Sequence, residues 1–168
     1  MMPEVKPPKV WLITDTHFNH ARMLELCGRP ENFTQLILEN WRKTVAPDDL
    51  VFHLGDVIFN RASELKPMME SLPGKKILVK GNHDMQRSHW YMNRGFAFVC
   101  YGMEFRGVYF THKPAKELPE GCKVNIHGHL HNTPHRDAEY EARPWHRLLA
   151  LENENYTPVL LEEFLSRS

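Results

Sequence analysis

Three short apolar runs constrain this 168-residue chain more than any other feature. Lys9-Val-Trp-Leu-Ile-Thr14, Leu50-Val-Phe-His-Leu54 and Lys76-Ile-Leu-Val-Lys80 are rich in β-formers and are cut off by Asp15, Gly55 and Gly81. They read as buried strands. Helix periods separate them. Phe33, Leu36, Ile37, Trp41 and Val45 fall on one helical face, with Asn32 at the N-cap position and Pro47 as a stop. Glu64, Leu65, Met68, Met69 and Leu72 mark a second helix, with Pro67 disturbing its start, and Pro73-Gly74 a turn. Strand, helix, strand, helix, strand implies right-handed crossovers and a largely parallel sheet.

After Gly95 the texture turns to β. Phe96–Tyr101 and Glu104–Thr111 read as strands paired around Gly102-Met103, and Lys123–Ile126 as a further strand. Arg147–Glu152 reads as the last strand. Thr157-Pro158 reads as the opening of a helix to Arg167. Residues 132–146 read as a loop and 1–8 as a frayed tail. One domain over 1–168 is the expectation for this length.

The polar residues matter most where these strands end, because ligands gather at the carboxyl ends of strands in open α/β sheets. Asp15-Thr-His17, Gly55-Asp56, Gly81-Asn-His-Asp84, Thr111-His112 and Gly128-His-Leu-His131 each follow a strand. Each carries a carboxylate, an amide or an imidazole. Residues two apart in an extended segment point the same way, so Asp15 and His17 can both reach one ion, and His129 and His131 can do likewise or flank two adjacent ions. Gly55, Gly81 and Gly128 allow sharp turns and close backbone approach there. The candidate ligands are Asp15, His17, Asp56, Asn82, His112, His129 and His131. Seven are too many for one tetrahedral ion and suit two ions sharing a carboxylate, with Asp56 as the bridge. Imidazole with carboxylate suits Mn²⁺, with Fe, Zn²⁺ and Ni²⁺ as alternatives.

Composition bounds the rest. Lys plus Arg and Asp plus Glu both number 21, for a formal charge of zero, so a strong overall basic field for nucleic acid is excluded, though a local basic patch is not. No apolar run is long enough to span a bilayer, and Met1–Lys9 has no secretory apolar segment. Three widely spaced cysteines form neither a disulfide framework nor a metal clip, which fits a reducing cytoplasm.

The five blocks in this order, Asp15-x-His17, Gly55-Asp56, Gly81-Asn-His-Asp84, His112 and Gly128-His-x-His131, resemble the calcineurin-like metallophosphoesterase superfamily. Asp15-Thr-His-Phe-Asn-His20, Arg29-Pro30, Val51-Phe-His-Leu-Gly-Asp56 and Tyr156-Thr-Pro158 narrow the likeness to its short, single-domain bacterial and phage members. The resemblance implies an α/β fold of two mixed sheets packed as a sandwich with flanking helices, a four-layer αββα arrangement. It implies Asp15, His17 and His131 on one divalent ion, Asn82, His112 and His129 on a second, and Asp56 between them. It implies hydrolysis of a phosphate ester, here expected to be a phosphodiester or nucleotide, by a metal-bound hydroxide with His83 as general acid. A nuclease acting on DNA or RNA is the alternative, and a non-catalytic docking scaffold a further one. Asp84 is the expected partner of His83. In the phosphoprotein phosphatase branch an acid stands three residues after the bridging aspartate; here Phe59 does, which weakens a protein-phosphatase reading.

Lesser candidates complete the inventory. His20, Arg22, Arg29 and Asn82 are candidates for contact with phosphate. His53 reads as a satisfied core or supporting histidine, and His127 as at most a supporting one. His89, His135 and His146 read as solvent-facing. Arg136, Arg143 and Arg147 read as a modest basic rim or ordinary charged surface. Arg87–Arg94 reads as an amphipathic helix or, alternatively, a cap that stacks a base.

Overall fold

A computed structural model describes Met1, residues 6–133 and residues 140–167. The expected tail lies partly, and His135 and Arg136 wholly, outside the described residues. Among the described residues nine strands form two sheets. The first contains β1 (Val10–Ile13), β2 (Leu50–His53), β3 (Lys75–Val79), β4 (Phe96–Cys100) and β9 (Val159–Leu160), in the order β4-β3-β2-β1-β9. The second contains β5 (Gly102–Phe105), β6 (Val108–Thr111), β7 (Val124–His127) and β8 (His146–Leu148), in chain order. β1 to β4 are mutually parallel with β9 antiparallel, and β6 to β8 are parallel with β5 antiparallel, so both sheets are mixed.

Two apolar clusters hold the layers. Leu12, Phe52, Leu54, Phe110 and Ile126, all fully buried, belong to the one between the sheets, where the rings of Phe52 and Phe110 stack at 4.7 Å. The other packs helices on the first sheet. These are α1 (Met23–Cys27), α2 (Phe33–Thr44), α3 (Leu65–Ser71) and α4 (Ser88–Met92). Trp41 of α2 is wholly buried, and its indole N–H donates to the Pro73 carbonyl. α5 (Leu161–Ser166) packs Leu161 and Phe164 into the cluster between the sheets. Outside β6 and β7 the chain near Ala115 is tied down by Asn125 and His146.

Four expectations change. Phe96–Cys100 does not pair with Glu104–Thr111. It extends the parallel sheet beside β3, so α4 is another crossover. The hairpin is β5–β6, closed by Arg106 and Gly107, both at positive φ (50° and 76°), the twist a two-residue hairpin needs. Near the end, the strand is His146–Leu148, so only Arg147 and Leu148 of the expected Arg147–Glu152 are strand, and Leu151–Glu154 forms a 3₁₀ turn. Pro158 precedes β9 rather than starting a helix, because β1 offers a free edge that Val159 and Leu160 fill. Finally, His146 is half-buried, not solvent-facing. Its Nδ1 accepts the Arg143 amide and its Nε2 meets the Ala115 carbonyl at 2.8 Å. α2 starts after Asn32 as read, but the Asn32 side chain makes no capping bond, and Pro67 falls in the first turn of α3, where a missing N–H does no harm. Arg87–Arg94 contains α4, whose Tyr91 is buried against the core.

Candidate metal centre

β1, β2, β3, β6 and β7 all point their carboxyl ends to one place, and all five polar blocks lie there. Two ligand clusters result. Asp15, His17 and His131 bring ligand atoms within 4.8 Å of one another, and so do Asp56, His112 and His129. Asn82 joins the second, its Oδ1 3.0 Å from His112 Nε2. Asp56 sits between them, with Oδ2 3.6 Å from His17 Nε2 and 3.3 Å from His112 Nε2.

Each aspartate is held by one oxygen and presents the other. Asp15 Oδ2 accepts the Thr14 hydroxyl and the His129 amide. Asp56 Oδ1 accepts the His83 amide at 2.9 Å. The closeness demands glycine at two points: a Cβ on Gly128 would overlap Thr14 Oγ1 and Asp15 Oδ2, and one on Gly81 would overlap Asp56 Oδ1. The backbone is bent hard as well. Asp15, His17, Asp56, His129 and His131 all adopt left-handed φ, between 43° and 70°, a region that few non-glycine residues enter, Asp and His more often than most.

The donor set fits cations. Asp15 Oδ1 and His17 Nε2 are buried and have no hydrogen-bond partner, a situation that costs about 1–3 kcal/mol per group unless something fills it. His112 Nδ1 lies 2.7 Å from the Leu54 carbonyl and donates to it, so the neutral ring turns the Nε2 lone pair toward Asp56, Asn82 and His129. Lone pairs facing one another call for a positive charge among them. In the protein alone a proton takes that place. Burial works to lower the His112 pKa, but the Asp56 hydrogen bond and the Asp15 and Asp56 charges push it up to about 9. Burial likewise works to raise Asp56, yet His112 and His17 hold its carboxyl well below the usual carboxylate range. His17 is driven well below its ordinary value, chiefly by burial.

A cleft of about 270 Å³ opens on the site, walled in part by His20, Arg22, Phe59 and His83. The His83 ring lies 5.7 Å from that of His17 and 6.0 Å from Phe59, and Phe59 also meets His20 edge-on at 3.8 Å. Phe59 therefore occupies the flank of His83 with an apolar wall. Two expected roles are corrected. Asp84 turns away from the His83 side chain: its carboxylate accepts the amides of Gly81, Asp56 and Val57, stitching the second and third blocks together. Arg29 is not at hand for phosphate. It is 3% exposed and donates to the carbonyls of Asp15 and Thr16 at 2.7 and 2.9 Å.

Arg29 leads to a residue the sequence did not disclose. Its guanidinium pairs with Glu152 Oε1 at 2.7 Å, and the same oxygen lies 3.1 Å from His131 Nδ1. A carboxylate behind a ligating imidazole fixes its tautomer and aims the other nitrogen, here Nε2, 3.7 Å from Asp15 Oδ1. Burial works to lower His131, but Cys27, Glu152 and Asp15 push it up to about 10. Burial works to raise Glu152, but His131 and Arg29 pull it down to about 2. His53 is the satisfied core histidine expected: Nδ1 accepts the Gly55 amide and Nε2 meets the Thr16 hydroxyl, which itself donates to Val57. His127 is fully buried, with Nδ1 against the Gly128 carbonyl.

Among the described residues no helix is long and apolar enough to cross a membrane. The chain is 32% identical over 165 residues to an uncharacterized protein of Methanocaldococcus jannaschii, MJ1445, covering 92% of this chain and 88% of that one. Its structure is similar to the crystal structure of a protein of unknown function from Aquifex aeolicus, AQ665, with a TM-score of 0.70 and 26% identity over 94% of this chain and 97% of that one. A model of the calcineurin-like phosphoesterase family matches residues 8–164. That match spans every strand and all seven candidate ligands, and the chain belongs to the calcineurin-like phosphoesterase family.

Proposed function

We propose that this protein hydrolyses a phosphodiester with two divalent cations, Mn²⁺ best suiting a donor set of four imidazoles, two carboxylates and an amide. Asp15, His17 and His131 would hold one cation, Asn82, His112 and His129 the other, and Asp56 would touch both. When bound, such a pair activates water and compensates phosphoryl charge. The observation that carries the reading is Asp56 Oδ2, which faces an imidazole nitrogen from each cluster.

The chain's own groups supply the rest. The His83 amide fixes Asp56, so its ring is placed at the cleft by the same residue that joins the clusters. From there the ring gives a proton to the departing ester oxygen. Arg22 and His20 stand at the mouth, where a phosphoryl oxygen would pass. Phe59 sets an apolar ring beside His83. An apolar wall in place of an acid favours a diester with a good fit to the cleft over a phosphoprotein loop.

The test is hydrolysis of bis-p-nitrophenyl phosphate and p-nitrophenyl phosphate by the Mn²⁺-loaded protein, with and without chelator. Faster, chelator-sensitive turnover of the diester is expected. No turnover with Mn²⁺, Fe²⁺, Zn²⁺ or Ni²⁺ refutes the proposal and points to a docking scaffold.

A further inference from the structure

The second ligand cluster is reached from two hollows. Asp56 and His129 line the His83 cleft, whereas Asn82 and His112 line a separate hollow of about 380 Å³. That volume lies within the roughly 300–1,000 Å³ usual for small-ligand sites. Its walls include Lys80, Tyr101 and Lys113 and no carboxylate. Tyr101 stands where the chain leaves β4 of one sheet for β5 of the other, and it is 75% exposed. Lys80 is not a loose surface lysine. Its ammonium donates to the Gln86 carbonyl at 2.7 Å and lies 5.1 Å from the Tyr101 ring and 5.7 Å from the Tyr91 ring. Nζ also lies 3.4 Å from the Tyr101 hydroxyl, so a fixed cation stands at the hydroxyl end of a ring that is left largely exposed. An exposed aromatic ring beside two ammonium groups matches a nucleobase followed by a phosphate. Lys113 also lines a further hollow of about 470 Å³ whose walls carry Lys116 and Arg143 together with Glu117 and Glu141.

We propose that Tyr101, Lys80 and Lys113 form a nucleotide subsite that holds the retained arm of a single-stranded nucleic acid end, while the departing arm lies in the His83 cleft. This rests on the phosphodiesterase reading and names its substrate class. Zero net charge is no obstacle, because the cations needed are gathered at the hollow rather than spread over the molecule.

The experiment is calorimetric titration of the metal-free full chain with a short oligothymidylate at several salt concentrations, with folding checked by circular dichroism. Tyr101→Ala is expected to weaken binding about tenfold, and Tyr101→Phe to keep it within about twofold, since stacking needs the ring and not the hydroxyl. Lys113→Gln is expected to flatten the slope of log K against log salt by about 0.7, the value for one phosphate contact on a single strand. Failure of the wild-type chain to bind, or binding by Tyr101→Ala as tight as wild type, overturns the subsite. Mn²⁺-dependent hydrolysis of bis-p-nitrophenyl phosphate by the wild-type protein reads the underlying activity separately. Its absence with Mn²⁺, Fe²⁺, Zn²⁺ and Ni²⁺ alike overturns the hydrolase reading; activity, with Tyr101→Ala binding undiminished, overturns the subsite alone.

Discussion

Replacing Arg29 by methionine tests the phosphate contact that the sequence suggests against the internal brace that the structure shows. The structure makes it a brace. Its side chain has no exposed surface and that of Glu152 only 4%, so the pair is cut off from water. Arg29→Met strands the Glu152 carboxylate and removes donors from the Asp15 and Thr16 carbonyls. Breaking a buried ion pair from one side costs about 3–5 kcal/mol. At about 2–4 °C per kcal/mol for a chain of this size, the melting temperature should fall by about 10 °C. The double variant Arg29→Met, Glu152→Leu leaves no stranded charge and should recover at least half of that loss. Because Glu152 also aims His131, the double variant should bind Mn²⁺ about 10–100-fold more weakly. Thermal melts followed by circular dichroism and Mn²⁺ titration by calorimetry read the two effects. A melting temperature within about 2 °C of wild type in Arg29→Met, with only KM for the diester raised, would refute the brace and restore the phosphate contact.

Gly128→Ala should abolish Mn²⁺ binding and lower the melting temperature by several degrees, since its methyl group would displace Asp15 Oδ2; retained Mn²⁺ affinity in calorimetry would contradict this. His83→Ala should bind Mn²⁺ normally while its turnover falls about 10²–10⁴-fold, and near-normal turnover would remove His83 as the acid. The metal-free chain should unfold readily in acid. Burial depresses His53 from 6.5 to about 3, so the unfolded chain takes up a proton that the folded chain refuses. The stability this histidine leaves intact is complete above about pH 6.5 and is lost on acidification, at about 1.4 kcal/mol per pH unit down to about pH 3. His127, depressed to about 4, adds to the same limb. In urea titrations between pH 7 and 5, His53→Gln should show a shallower decline than wild type; an unchanged slope counts against the assignment.

How much of this was legible depends on what kind of pattern each feature leaves in the chain. β1, β2 and β3 were readable because both faces of each are largely buried, which writes a continuous apolar run ended by a polar turn. The clustering of Asp15, Asp56, His112 and His131 followed from parallel strands sharing one carboxyl edge. The break near Gly102 was legible, but not that the chain changes sheets there, because nothing local to Phe96–Cys100 says that it pairs with β3. Arg106-Gly107 is a weaker hairpin signal than Asn-Gly, so the turn was displaced to Gly102-Met103. The two-residue β9 has too little length to show a period. The Arg29–Glu152 brace spans 123 positions, and nothing local to either residue marks it. Asp84 was misassigned for a related reason: a loop carboxylate that gathers backbone amides looks, in a sequence, like one that serves its neighbouring histidine.

The left-handed backbone at Asp15, His17, Asp56, His129 and His131 sets stability and chemistry in opposition. Of the residue types, glycine and asparagine rest most easily in that conformation. A population of variants selected for heat resistance alone, with chelator present, would therefore drift toward Gly and Asn at those five positions and end as a sturdier fold with nothing left to grip a cation.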